Sequence, residues 1–171
     1  MNKVRMIALF FLCALMTHAC GYRFAGSGAL PDNIKSIFIE VFKNHTSKAG
    51  IERVVTNQLI FEFTRQREKI LANDANNADA SLKGVIRKIR TNTISRVGTE
   101  VANQREVIMT IDLKLINQRG DVIWTANALS DREAYDVSDS KLENDRAESV
   151  AISRLSERIS ERIFSRLTDD F

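Results

Sequence analysis

The sequence predicts an α+β domain: a single mixed four-stranded sheet with two helices packed on one face, in the order β-α-β-β-β-α. Alternation of apolar and polar residues over positions 106–115 is typical of a strand with one buried face. Two other segments repeat apolar residues every three or four positions, which indicates amphipathic helices. One sheet with both helices on one side buries all these stripes together, and a chain of 171 residues suffices for one such domain.

The first strand is predicted over residues 35–42, and both of its faces carry apolar side chains. Ile37, Ile39 and Val41 lie on one face, and Phe42 lies on the other. A strand with two apolar faces is expected in the interior of a sheet, so the sequence predicts an interior position for this strand.

The first helix is predicted to follow a cap at Thr46 or Ser47 and to end near Arg67. The last helix is predicted over residues 142–167, after a connection formed by residues 131–140. Each helix has an apolar stripe that should face the sheet. The stripes consist of Ile51, Val55, Leu59 and Phe63, with Val54 beside them, and of Ile152, Leu155, Ile159, Ile163 and Leu167.

Between the helices the sequence predicts a loop over residues 72–79 and then three strands. The second strand covers residues 80–95. Its apolar residues change phase close to Gly84, where we predict a β-bulge. Residues 106–115 and 122–128 form the last two strands, which a polar turn joins into a hairpin.

The first nineteen residues have the composition of a signal peptide. Lys3 and Arg5 form a basic start, and an uncharged apolar run follows over residues 6–16. This run is too short to span a bilayer, which requires about 20 apolar residues, but it has the length of a signal-peptide core. The sequence therefore predicts that residues 1–19 are removed during export.

Cys20 is predicted to become the lipidated N-terminus of an exported bacterial lipoprotein. Ala19 is the small residue that a lipoprotein signal peptidase accepts, although Thr17 stands where Leu or Val is usual. The alternative is cleavage elsewhere, which would leave Cys20 an ordinary thiol. Several acyl chains, palmitate among them, anchor a protein durably. Residues 20–33 then form a lipidated tether and residues 34–171 a single domain.

The charge balance argues against a nucleic-acid partner. The formal net charge is +3, and Lys3 and Arg5 of the leader supply two of these charges. Catalytic and metal-binding motifs are absent from the sequence, and His45 is the one histidine after the leader. We therefore predict a protein that is not an enzyme and that has no metal or other cofactor.

A basic cluster lies along the second strand and just beyond it. Side-chain alternation predicts Lys83 and Arg87 on one face, with Lys88 and Arg90 on the other, and Arg96 follows the strand. Two interpretations remain open. The charges protect an edge strand from aggregation, or they bind an anionic partner.

The last helix carries a second set of basic residues at four-residue spacing. The simplest interpretation is a solvated face on which Arg and Glu form pairs. The set consists of Arg154, Arg158, Arg162 and Arg166, with Glu157 and Glu161 alongside.

Five short motifs lie along the chain after the leader. They are Cys20-Gly21-Tyr22-Arg23-Phe24, Pro31-x-x-Ile34-x-x-Ile37, Ala78-Asp79-Ala80-x-Leu82-x-Gly84, Gly120-x-Val122-Ile123-Trp124 and Tyr135. Their order within a lipoprotein of this length resembles the lipopolysaccharide-assembly lipoprotein family, LptE, also called rare lipoprotein B. The resemblance spans essentially the whole chain after the leader.

The resemblance implies a function without catalysis. Members of the family sit at the outer membrane inside the lumen of a large β-barrel, the LptD translocon, which they help to assemble and plug. They also bind lipopolysaccharide during its delivery to the cell surface. The resemblance thus implies a lipid-anchored domain on the periplasmic side or inside the barrel lumen. The basic cluster is then the predicted lipopolysaccharide-binding site. The rival interpretation is a free-standing periplasmic carrier or a pilotin-type lipoprotein that escorts another outer-membrane client.

Overall fold

A computed structural model describes Leu30 and residues 34–95 and 103–169. The predicted signal peptide, Cys20 and Arg96 lie outside the described residues. Neither helix in the described ranges combines the length and apolar composition needed to span a membrane. The elements are β1 (Ile37–Ile39), β2 (Lys43–Asn44), α1 (Ile51–Arg67), β3 (Ala80–Ser95), β4 (Asn103–Asn117), β5 (Val122–Asp136) and α2 (Lys141–Asp169).

The sheet confirms the predicted α+β class and element order, with one difference in strand count. β3, β4 and β5 form an antiparallel meander in the spatial order β3-β4-β5. β1 pairs in parallel with the start of β3, and β2 pairs in parallel with β3 a few residues further along. The single first strand that was predicted is therefore two short strands that share one edge of the sheet.

The break between β1 and β2 changes which side chains are buried. Ile37 and Ile39 are buried as predicted, but Val41 is 64% exposed and Phe42 is only 2% exposed. The backbone N–H of Phe42 donates a hydrogen bond to Thr56 Oγ1 on α1, at 3.0 Å. The predicted interior position is also wrong, because β1 lies at the end of the strand order.

Gly84 is needed for packing and does not form the predicted bulge. It pairs in register with Leu113. A Cβ atom at Gly84 would lie 2.5 Å from the ring of Phe42, so a larger residue has no room there. The register shift occurs instead at Arg87, the extra residue between the Ile86 and Lys88 pairs.

The core lies between one face of the sheet and the two helices. The alternating residues Val107, Met109, Ile111, Leu113 and Leu115 of β4 are fully buried, as predicted, and belong to one cluster with the apolar stripes of both helices. The helices also contact each other, since the rings of Phe63 and Phe164 meet edge to face at 4.9 Å. The opposite face of β3, β4 and β5, which we call the open face, carries the polar half of the alternation.

Both helices begin slightly differently from the prediction. α1 starts at Ile51, where Gly50 has a φ of +85° and its carbonyl oxygen accepts hydrogen bonds from Arg53 and Val54. Thr46 and Ser47 are therefore not its cap, and Val54 is 43% exposed and not in the core. α2 starts at Lys141, and the Oγ of the preceding serine accepts from the backbone of Glu143, at 3.4 Å.

β5 is longer than the predicted strand. It continues to Asp136, so most of the predicted connection is strand. A register shift leaves Asn127 and Ala128 opposite Asp112, and Ala128 has a φ of +52°. Ala126 and Leu129, on either side of this bulge, are both buried. A bulge interrupts the alternation of buried and exposed side chains. The strand predicted from that alternation therefore ended at residue 128.

Candidate functional site

The bulge at Arg87 changes the predicted distribution of the basic cluster. Lys83 pairs with Lys114, Lys88 with Thr110, and Arg90 with Ile108. All three partners alternate with the buried residues of β4 and therefore lie on the open face. Because one extra residue inverts the alternation, all four described cations of the cluster share this face. The prediction that they divide between two faces is wrong.

The cations on the open face differ in how they are paired. Lys83 Nζ lies 2.9 Å from Glu40 Oε1, and Arg87 Nε lies 2.6 Å from Asp112 Oδ2. Lys88 and Arg90 are exposed, and within residues 34–95 and 103–169 neither forms an ion pair. Within the predicted cluster, these two side chains are thus the described cations most readily available to an external anion.

Lys114 is a further basic residue of the site that sequence reasoning missed. It lies directly opposite Lys83 in the register of β3 and β4. Like charges that face each other across strands are destabilising unless an anion lies close by. The alternation of β4 already placed Lys114 on the polar face. Only the pairing register, which the sequence does not show, brings it to Lys83.

A depression of about 320 Å³ lies at this end of the open face. Its apolar lining includes Val41, Val85 and Ile116, and its charged lining includes Lys43 and Lys114. Lys83, Arg87, Glu40 and Asp112 complete the charged part of the lining. The site therefore offers cationic groups next to exposed apolar surface.

Asp112 is the carboxylate at the centre of the site. The backbone N–H of Ala128 donates to it at 2.8 Å and lowers its pKa, as does the Arg87 guanidinium, whereas burial opposes the shift. A carboxylate with a lowered pKa is ionised at neutral pH. Its contribution to stability is present above its unfolded pKa and is lost as the pH falls through its folded pKa.

Three of the arginines of α2 form ion pairs with acidic residues of β5. Arg158 NH1 lies 2.6 Å from Glu133 Oε2, and Arg162 NH2 lies 3.1 Å from Asp131 Oδ2. Arg154 also lies near Glu133, at 3.8 Å. These three arginines therefore do not form the predicted pairs with Glu157 and Glu161 of their own helix, and their ion pairs join α2 to β5 instead. These cations are less available to a ligand than those of the open face.

The motifs after residue 33 that carry the family resemblance hold the fold together and lie outside the basic cluster. Asp79 Oδ2 accepts hydrogen bonds from the backbone of Lys35 and Ser36, at 2.9 and 3.0 Å, which joins the start of β1 to the start of β3. The first of these bonds is the main cause that lowers the pKa of Asp79. Gly120 adopts a φ of +89° in the β4–β5 turn, and Trp124 is buried.

Several known structures share this fold at low sequence identity, among them the following two. An uncharacterized lipoprotein B from Nitrosomonas europaea superposes with a TM-score of 0.57 at 10% identity, covering 84% of this chain and 86% of its own. A minor lipoprotein from Acinetobacter baumannii gives a TM-score of 0.52 at 12% identity, covering 80% of this chain and 92% of its own. At such identities the likeness concerns the fold alone.

The sequence itself provides the family assignment. No curated protein sequence matches the chain significantly. The profile of the lipopolysaccharide-assembly family LptE matches residues 34–167. This range includes all five strands, α1, and α2 except for its last two residues. The chain therefore belongs to the lipopolysaccharide-assembly family LptE.

Proposed function

We propose that this protein is a lipid-anchored outer-membrane lipoprotein that assembles with an LptD-type β-barrel and binds lipopolysaccharide on its open face. The observation that carries the lipid-binding part is the placement of Lys83, Arg87, Lys88 and Arg90 on one face, beside Lys114. Family membership supports a role in lipopolysaccharide assembly. This is a binding role, with no catalytic step.

The chemistry of the open face suits a phosphorylated lipid. Lys and Arg bind phosphate through charge-assisted hydrogen bonds, and lipid A of lipopolysaccharide carries phosphates. A phosphate near Lys83 and Lys114 would also offset the repulsion between these facing cations. The exposed Val41 and the neighbouring Val85 and Ile116 supply apolar contact surface within the same depression.

The lipid-binding part is tested by removing Lys88 and Arg90, the two described cations of the predicted cluster that form no ion pair. We expect Lys88→Gln with Arg90→Gln to weaken lipopolysaccharide binding at least tenfold at low salt. A hydrogen bond to a charged group contributes about 1.5–3 kcal/mol, and about 1.4 kcal/mol corresponds to a tenfold change. The loss should shrink with added salt, and the wild type should bind dephosphorylated lipopolysaccharide more weakly.

The matched control for this experiment removes two charges from another surface. Lys141 and Arg146 are both exposed on α2, and the Lys141→Gln and Arg146→Gln pair changes the net charge by the same amount. Equal binding by the wild type and both double variants would show that the open face does not contact the lipid phosphates.

The barrel partner is tested by co-purification. A barrel lumen is polar, so a domain inside it requires polar outer surfaces such as the charged outer side of α2. Extraction of membranes in mild detergent should recover one large β-barrel with this protein in equal amounts. Recovery of the lipoprotein alone, or together with a secretin ring, would favour the rival carrier or pilotin-type function.

The anchor provides an independent prediction. Cys20→Ala should release the protein from the membrane fraction while leaving the domain folded, because the described core begins at Leu30, ten residues after the cysteine. Membrane fractionation and circular dichroism of the purified variant would check both statements. A variant that remains in the membrane fraction, or that lacks secondary structure, would contradict lipidation at Cys20 as the sole anchor.

A further inference from the structure

Asp112 lies close to two β-bulges, one in each of the strands that pair with β4. On one side, Asp112 pairs with Val85 of β3, and the extra residue Arg87 follows two positions later, between the Ile86 and Lys88 pairs. On the other side, β5 places Asn127 and Ala128 opposite this single residue of β4. Two bulges thus flank one side chain from opposite directions.

The two oxygens of the Asp112 carboxylate bind one bulge each. Oδ1 accepts a hydrogen bond from the backbone N–H of Ala128 at 2.8 Å. Oδ2 accepts one from Nε of Arg87 at 2.6 Å. Ala128 has a φ of +52°, a conformation that alanine adopts only where surrounding contacts hold it. The carboxylate supplies such a contact.

The two bulges decide which side chains reach the open face. Without the extra residue in β3, alternation would turn Lys88 and Arg90 toward the helices. With it, they lie on the open face, and Ile89 packs against the core. The bulge in β5 has a matching effect, because it turns Asp131 and Glu133 toward the arginines of α2.

We propose that Asp112 is a positioning residue for anion binding: it fastens both bulges and so presents Arg87, Lys88 and Arg90 together on the open face. The inference rests on the proposed function of that face as a lipopolysaccharide-binding surface. Asp112 itself is an anion and does not attract the phosphate. Removing Asp112 should therefore weaken phosphate binding, whereas removing an ordinary surface carboxylate should strengthen it.

This difference in sign provides the test. Removing a carboxylate near a cationic surface should strengthen anion binding if only the electric field matters. If Asp112 positions the cations, Asp112→Ala should instead weaken binding of purified lipopolysaccharide, by about tenfold or more, although the net charge becomes more positive. Glu106→Ala is the matched control, because Glu106 lies on the same face of β4 at a regular position of the register. We expect that control to bind as tightly as the wild type or more tightly.

A second measurement does not depend on the ligand. Hydrogen exchange of the full mature chain in mild detergent should show faster exchange at the Ala128 amide in Asp112→Ala, by about tenfold or more. Exchange at Met109 and Ile111, in the core, should change little. Asp112→Asn should keep the Ala128 amide protected, because its amide oxygen can still accept that bond, while its NH2 group can no longer accept from Arg87.

The outcomes separate the two proposals. Two results would overturn the positioning role. The first is an Ala128 amide that exchanges in Asp112→Ala as slowly as in the wild type. The second is an Asp112→Ala variant that binds lipopolysaccharide as tightly as the wild type, while the Lys88 and Arg90 double variant binds weakly. If that double variant binds normally, the proposed function fails, and the exchange experiment still decides whether Asp112 holds the bulges. Should Asp112→Ala fail to fold, Asp112→Asn decides: weaker binding supports the role, and tighter binding overturns it.

Discussion

Met109→Asp is expected to unfold the domain. Met109 is 0% exposed and lies on the face of β4 that packs against both helices. An unpaired charge buried there costs several kcal/mol, which is comparable with the whole stability of a domain, about 5–15 kcal/mol. Circular dichroism should show loss of the cooperative thermal transition, or a Tm lowered by tens of degrees.

Thr110→Asp is the matched control, since it introduces the same charge one residue further along the same strand. Thr110 lies on the open face, where its Oγ1 donates to Ser130 Oγ at 3.2 Å, and Lys88 is its register partner. Losing one exposed hydrogen bond costs about 1 kcal/mol, and the facing lysine offsets part of this cost. Equal Tm values for the two variants would contradict the assignment of the buried face.

The second large effect is expected at Gly84. In Gly84→Ala the new methyl group would lie 2.5 Å from the ring of Phe42, which is itself buried in the core and cannot move freely. Such overpacking costs about 1–3 kcal/mol or more, so the variant should unfold at a lower urea concentration than the wild type.

A double-mutant cycle shows whether the ring is the cause. Phe42→Leu destabilises the core by itself, but it removes the ring that meets the new methyl group. Gly84→Ala should therefore cost clearly less in the Phe42→Leu background than in the wild type. Equal costs in both backgrounds would mean that another contact, or the glycine backbone, is responsible.

The fold was largely predictable because its strongest patterns are regular. The alternation in β4 and the four-residue stripes of both helices correspond to fully buried side chains. The short first strand was less predictable. Val41 was predicted to be buried with Ile37 and Ile39, but it is exposed because the chain shifts between β1 and β2, and a two-residue strand leaves no periodic pattern.

The candidate site was predicted in composition but not in arrangement. The sequence indicated the cluster of Lys83, Arg87, Lys88 and Arg90, yet strict alternation divided it between two faces. The sequence analysis placed the phase change at Gly84, Val85 and Ile86 and assigned the bulge to the glycine, whereas the extra residue is Arg87. The location of a bulge depends on the partner strand, here on Asp112, and a single strand's sequence does not contain that information.

The parallel pairing of β1 with β3 has a consequence for the order of folding. Ile37 pairs with Ala80, so a long loop containing all of α1 must close before this contact forms. β3, β4 and β5 instead pair through short connections, and contacts that are local in sequence form sooner because less chain entropy is lost. The meander should therefore fold first, and the N-terminal edge should dock last. If Cys20 is lipidated as proposed, the segment that folds last is the one that follows the anchor in the chain, and tension on the anchor would reach Leu30 and the three-residue β1 before the meander.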